Sequence, residues 1–273
     1  MWILLASSLL AVGFHRWLGL FLLLLATVWA SWLGVVSFAG LAVMVMVALI
    51  ALLLRHYRSV RPFAIGAELW LLFIAINLLS HFMPGFNNPR VLDQVQAGEL
   101  SAPFNMYYNF DKALIPFLFL AILPTLFRTR PQCRVVPWYW WGLLIISLPL
   151  LLLLATLCGG LRIEPHAPAW LGQFMLANLF FVSLAEEALF RGYLQRRLSQ
   201  LAGTTTGLLL TALLFGISHL AGGVLLVVFA SLAGIIYGLA WMWSGRLWVS
   251  ALFHFALNLT HLLLFTYPAY QPQ

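Results

Sequence analysis

In Ala185-Glu186-Glu187-Ala188-Leu189-Phe190-Arg191, two adjacent carboxylates close a strongly apolar run and an arginine follows Glu187 by four positions. On a helix that spacing makes Glu187 and Arg191 neighbours. Two carboxylates this close in a poorly hydrated place resist ionising together, so one is expected to hold its proton while Arg191 keeps the other as carboxylate. Such a site holds a base and an acid side by side. A salt bridge at a helix end explains Glu187 and Arg191 equally well, but it gives Glu186 no reason to be there.

The next apolar stretch carries Phe215-Gly216-Ile217-Ser218-His219, and the last one carries His254, Asn258 and His261 at i, i+4 and i+7. Those intervals put two imidazoles and an amide on one helical stripe. A polar stripe on an otherwise apolar membrane helix faces protein or a wet cavity and never lipid. The set suits peptide-bond hydrolysis: a carboxylate activates water, a histidine orients it or protonates the leaving amine, and a His/Asn pair binds the oxyanion. No serine or cysteine stands at nucleophile spacing, and H-E-x-x-H is absent. Spacing therefore assigns no cofactor, although a zinc ion on Glu187, His219 and His254 would satisfy the ligand-type rules.

What must position these residues is a membrane protein. The chain has 273 residues, 63% hydrophobic and only 8% charged, with net charge +7 and mean hydropathy +0.99. That composition cannot cover a water-soluble globule. Apolar runs near 18–33, 35–54, 63–82, 112–127, 138–158, 169–190, 204–220, 223–243 and 247–266 predict an all-α polytopic bundle of eight or nine spans. We expect membrane helices with an exoplasmic loop 83–111 over 1–134, and over 135–273 a helical bundle carrying the chemistry within 169–262.

The basic residues report orientation. Arg16, Arg55, Arg58, Arg61, Arg128, Arg130, Arg134, Arg191, Arg196, Arg197 and Arg246 alternate onto one face, against Arg90, Lys112 and Arg162 on the other. Loops of the first set are expected in the cytoplasm, which leaves no argument for nucleic acid. Asp93, Glu99 and Glu164 read as solvated loop charges. Glu68 and His81 read as snorkelling or interhelical hydrogen bonds. Asn109-Phe110-Asp111-Lys112 is either a helix start capped by Asn109 or Asp111, or a polar lid over a cavity. Cys133 and Cys158 imply no disulfide framework. Ala230, Gly234 and Gly238 form a small-residue stripe explained by close helix packing, and Trp138, Tyr139, Trp140 and Trp141 form an interfacial aromatic belt.

Taken in order, Glu186-Glu187-x-x-x-Arg191, Phe215-x-x-x-His219 and His254-x-x-x-Asn258 resemble the signatures of the CPBP intramembrane proteases, also called the Abi or CAAX-protease family. The resemblance covers about 169–262. It implies that Glu186 activates water with His219, that Glu187 and Arg191 support Glu186, and that His254 and Asn258 bind the oxyanion. Phe215 would line the substrate path, with Asn109 and Asp111 as further substrate-binding candidates. The family has been described both as metal-independent and as metal-dependent. The expected partner is a membrane-embedded or lipidated protein, in the bilayer of a bacterial inner membrane. Two other classes use similar residues: a non-catalytic scaffold or immunity protein, and a small proton-coupled transporter. The absence of an inverted repeat and the crowding of polar residues into the last third count against transport.

Overall fold

The computed structural model describes residues 1–129 and 136–271. Arg130, Cys133, Arg134 and the boundary at 134/135 lie outside the described residues. The chain is an all-α polytopic integral membrane protein. Among the described residues, six helices are long and apolar enough to cross a bilayer: α3 (Phe38–His56), α4 (Arg61–Leu79), α7 (Trp138–Leu157), α8 (Leu171–Ala202), α10 (Val224–Ser244) and α11 (Leu247–Leu264). Three apolar helices are shorter: α1 (Trp2–Val12), α2 (Arg16–Trp32) and α9 (Thr204–Ile217). A two-stranded sheet, β1 (Arg90–Val95) with β2 (Phe104–Tyr107), lies in the loop after α4.

Local chemistry explains the breaks. His15 separates α1 from α2 because its Nδ1 accepts the Leu18 N–H at 3.2 Å, capping α2. The expected span 112–127 forms two short helices instead, α5 (Phe110–Ala113) and α6 (Ile115–Ile122). Pro116 is tolerated in the first turn of α6, and Leu123, extended at φ −123° and ψ 89° ahead of Pro124, ends it. Eight helical residues reach only about 12 Å.

Conversely, the run expected to stop at 190 continues to Ala202, so Arg191 is not a loop cation: it is fully buried within α8. Arginine ended the apolar window but not the helix, because a buried guanidinium with partners does not break helical geometry. Two-thirds of the most apolar window of α8 is buried, against 17–44% in the other five long helices. α8 is thus the most buried of the six long helices.

The chain forms two compact units that interleave in sequence. The first comprises Met1–Arg90, Tyr107–Leu126 and Phe180–Leu189. In it α1 pairs with α2, and α6 packs on α3, on α4 and on the Leu184–Glu187 turn of α8.

The second unit comprises Val91–Met106, Phe127–Leu179 and Phe190–Gln273. Here α9 lies along α10, and α10 and α11 pack on each other and on α7. At the start of α11, Arg128 bridges Arg246. At its other end Ile163 bridges Phe265, and Ser101 bridges Tyr270. The basic connections 128–129 and 245–246 thus collect at one end of α11 and the loops 91–106 and 159–168 at the other, as the alternation of arginines requires. Glu164 is not merely solvated: its carboxylate accepts from Leu100 N–H at 2.8 Å and Ser101 Oγ–H at 2.6 Å, tying those loops together.

Candidate active site

In the first unit, Glu186 and Glu187 sit on a single α-turn, Leu184–Glu187, between π-helical stretches Ala177–Ser183 and Ala188–Gln195. Bulges of this kind recur at functional sites, because the i→i+5 turn re-aims the side chains around it. Both glutamates are buried. α5 brings Lys112 Nζ to 3.8 Å from Glu186 Oε1, so Lys112 is not a loop cation either. α5 is anchored in turn. His81 Nδ1–H donates to Asp111 Oδ2 at 2.7 Å, Phe110 N–H donates to Asn88 Oδ1 at 2.9 Å, and Lys112 N–H donates to Asp111 Oδ1 at 2.8 Å. Trp2 meets Phe110 edge-on and lies tilted on Phe181 of α8.

Asp111 is 1% exposed and both of its oxygens are engaged, which is the geometry of an anchor. Asn109 takes the N-cap position of α5 without a side-chain cap bond, and its Oδ1 is buried with no hydrogen-bond partner. His81 lies beyond the end of α4 in a left-handed conformation, φ 60°, which few non-glycine residues adopt.

In the second unit, Arg191 donates from Nη2 to the Gly234 carbonyl at 2.8 Å. Its guanidinium carbon stands 4.6 Å from the Phe215 ring centre and 5.3 Å from that of Tyr237. Tyr237 stacks on His254 with centroids 4.7 Å apart and planes 13° from parallel. Phe215 closes the other side, perpendicular to His254 at 5.6 Å. Ser250 Oγ–H donates to the Tyr237 carbonyl at 2.9 Å, coupling α11 to α10.

His219 follows the end of α9, where its Nδ1 lies 2.8 Å from the Phe215 carbonyl. A carbonyl only accepts, so Nδ1 carries the proton and Nε2 is the acceptor of the neutral ring. Asn258 Nδ2–H donates to Asn178 Oδ1 at 3.2 Å. His261, expected on the same stripe, is tied elsewhere, its Nε2–H donating to the Thr266 carbonyl at 3.0 Å.

Residues 168–260, about a third of the chain, match the family model described as type II CAAX prenyl endopeptidase Rce1-like. This segment is similar to the CPBP/CAAX-protease family. Nothing among curated proteins or solved structures matches the chain. The family segment holds Glu186, Glu187, Arg191, Phe215, His219, His254 and Asn258; Asn109, Asp111 and Lys112 stand outside it.

Several residues that shape these clusters escaped the sequence reading. Tyr237, Asn178 and Gln195 belong to no motif, and Lys112 was read with the helix start. Gly234 and Gly238 had been visible only as a packing stripe, yet their carbonyls accept from Arg191 and Gln195. A Cβ on Gly234 would stand 3.0 Å from Ala212 Cα and 3.2 Å from Arg191 Nη2, so a larger residue would have to push both aside by a few tenths of an ångström. A buried arginine or glutamine opposite a glycine one or two turns along another helix is the signal that could have found them. Among the described residues, no group of three or more His, Cys, Asp or Glu side chains is spaced to hold a metal ion.

Proposed function

We propose that the chain is an intramembrane endopeptidase that hydrolyses a peptide bond in a membrane-embedded or lipidated protein with water activated by Glu186. The observation that carries this reading is the family match over 168–260, which contains every motif residue needed for acid-base hydrolysis. Glu186 takes the proton of the attacking water as general base. His219, its proton fixed on Nδ1 by the Phe215 carbonyl, offers Nε2 to orient the water and then relays the proton taken up by Glu186 to the leaving amine, which restores the carboxylate. His254 and the free N–H of the Asn258 amide stabilise the oxyanion of the tetrahedral intermediate. Glu187 and Arg191 orient the helical turn that carries the base. Phe215 walls the path of the scissile segment.

No metal is assigned a step. The prenyl endopeptidase match favours a protein bearing a lipid near its cleaved end, and the arginine alternation favours a site opening toward the cytoplasm.

The test is quantitative mass spectrometry of protein termini in membranes carrying wild type or Glu186→Gln at matched expression, with a chelator arm. We expect new termini that fall by about 100-fold or more in the mutant, the usual weight of a general base, and that persist in chelator. Identical termini in both membranes would overturn the protease reading in favour of a scaffold. Loss in chelator would make the reaction metal-dependent.

A further inference from the structure

Lys112 lies outside the family segment, on a helix of four residues. It nevertheless meets Glu186, the group assigned above as the base. We infer that Lys112 is a positioning residue for Glu186, and that the His81–Asp111–Asn88 network exists to hold it there; this rests on the reading of Glu186 as base.

The geometry is specific. The ammonium stands 3.8 Å from one carboxylate oxygen, Oε1, and the two side chains are only 15% and 11% exposed. At that separation and burial an opposite charge acts with little screening from salt, unlike a surface pair. One oxygen is thereby fixed toward α5, and the rotation that would carry the carboxylate away from its working orientation is opposed. A base must lie within hydrogen-bond reach of the proton it takes, so its orientation controls rate directly.

The supports of Lys112 are too elaborate for a residue that merely fills space. Asp111 uses one oxygen on His81 and the other on the Lys112 backbone N–H. His81 reaches it from an uncommon left-handed backbone. Asn88 takes the Phe110 N–H. Trp2 packs against both Phe110, two residues before Lys112, and Phe181, on the helix that carries Glu186. The segment is clamped at its backbone, its carboxylate and its ring, which leaves the Lys112 side chain a short, defined reach to Glu186.

The experiment uses the full chain in lipid nanodiscs and in membranes, as wild type, Lys112→Met, Lys112→Arg and Glu186→Gln. Infrared difference spectra against Glu186→Gln isolate the Glu186 carboxyl bands, and the initial rate of the Glu186-dependent terminus is measured in parallel at increasing substrate expression. The pair predicts that Lys112→Met displaces those bands and lowers the maximal rate about tenfold or more, within the range of a misaligned base. Half-saturation should change little, and Lys112→Arg should recover most of both signals. Unchanged Glu186 bands and equal rates in Lys112→Met would overturn the inference, as would a rate loss that Arg does not rescue with the bands unmoved. If Glu186→Gln still cleaves, the reading of Glu186 as base fails, and the infrared arm alone decides whether Lys112 holds Glu186.

Discussion

Glu186 in the first unit is held by an ammonium from a distant stretch of chain, itself fixed by hydrogen bonds. His254 in the second is held between rings, stacked on Tyr237 and walled by Phe215. The difference follows from charge. A buried carboxylate loses several kcal/mol of hydration and needs an opposite charge or donors to recover it. An imidazole carries apolar faces, so aromatic packing holds it at about 0.5–1.5 kcal/mol per ring pair. The first arrangement depends on one partner being present; the second spreads its hold over several.

Arg191 is where that contrast is most exposed, since it is a full charge in the aromatic cluster. Arg191→Met keeps the bulk but removes the donor to the Gly234 carbonyl and the cation over Phe215 and Tyr237. Losing that hydrogen bond from a charged donor should cost about 1.5–3 kcal/mol. It would appear as a lowered melting temperature in detergent along with lost cleavage, and a melting temperature equal to wild type would break the comparison.

Smaller effects should follow at Tyr237. Tyr237→Leu removes the stack under His254 and should slow cleavage about two- to tenfold, one ring pair's worth. Tyr237→Phe keeps the stack and should stay close to wild type. Equal losses in both would show that the hydroxyl, not the ring face, holds the imidazole.

Smallest is an effect on stability at alkaline pH. Tyr267, beyond the end of α11, is half-buried, and that burial pushes its phenol above the ordinary value near 10. The fold therefore prefers the neutral phenol, a contribution present in full below pH 10 and lost as the pH rises toward the raised folded value. Melting curves between pH 9 and 11 should fall more steeply for wild type than for Tyr267→Phe. Parallel curves would remove Tyr267 from the alkaline transition.

Much of the fold was legible because apolar length is a local property: α3, α4, α7, α10 and α11 each stand on a run that the sequence shows directly. The departures from that pattern have two causes. Arg191 and Lys112 count in the sequence as loop or helix-end cations, but Arg191 is buried and Lys112 half-buried, each against a partner remote in the chain. Proline did the reverse at 112–127, where composition promised a span and Pro116 and Pro124 divided and ended it. The motif residues were legible by spacing, whereas Tyr237, Asn178 and Gln195 carried no signal beyond being ordinary helix residues.

Residence in the membrane, the helical class and the order of the three motifs were determined by the sequence itself, since hydropathy and the helical repeat act over a few turns of chain. Which cation faces Glu186, which ring lies under His254, and which glycine carbonyl receives Arg191 were decided only in the tertiary structure. Those pairings join elements remote in sequence, and their geometry depends on how whole helices pack rather than on any local interval.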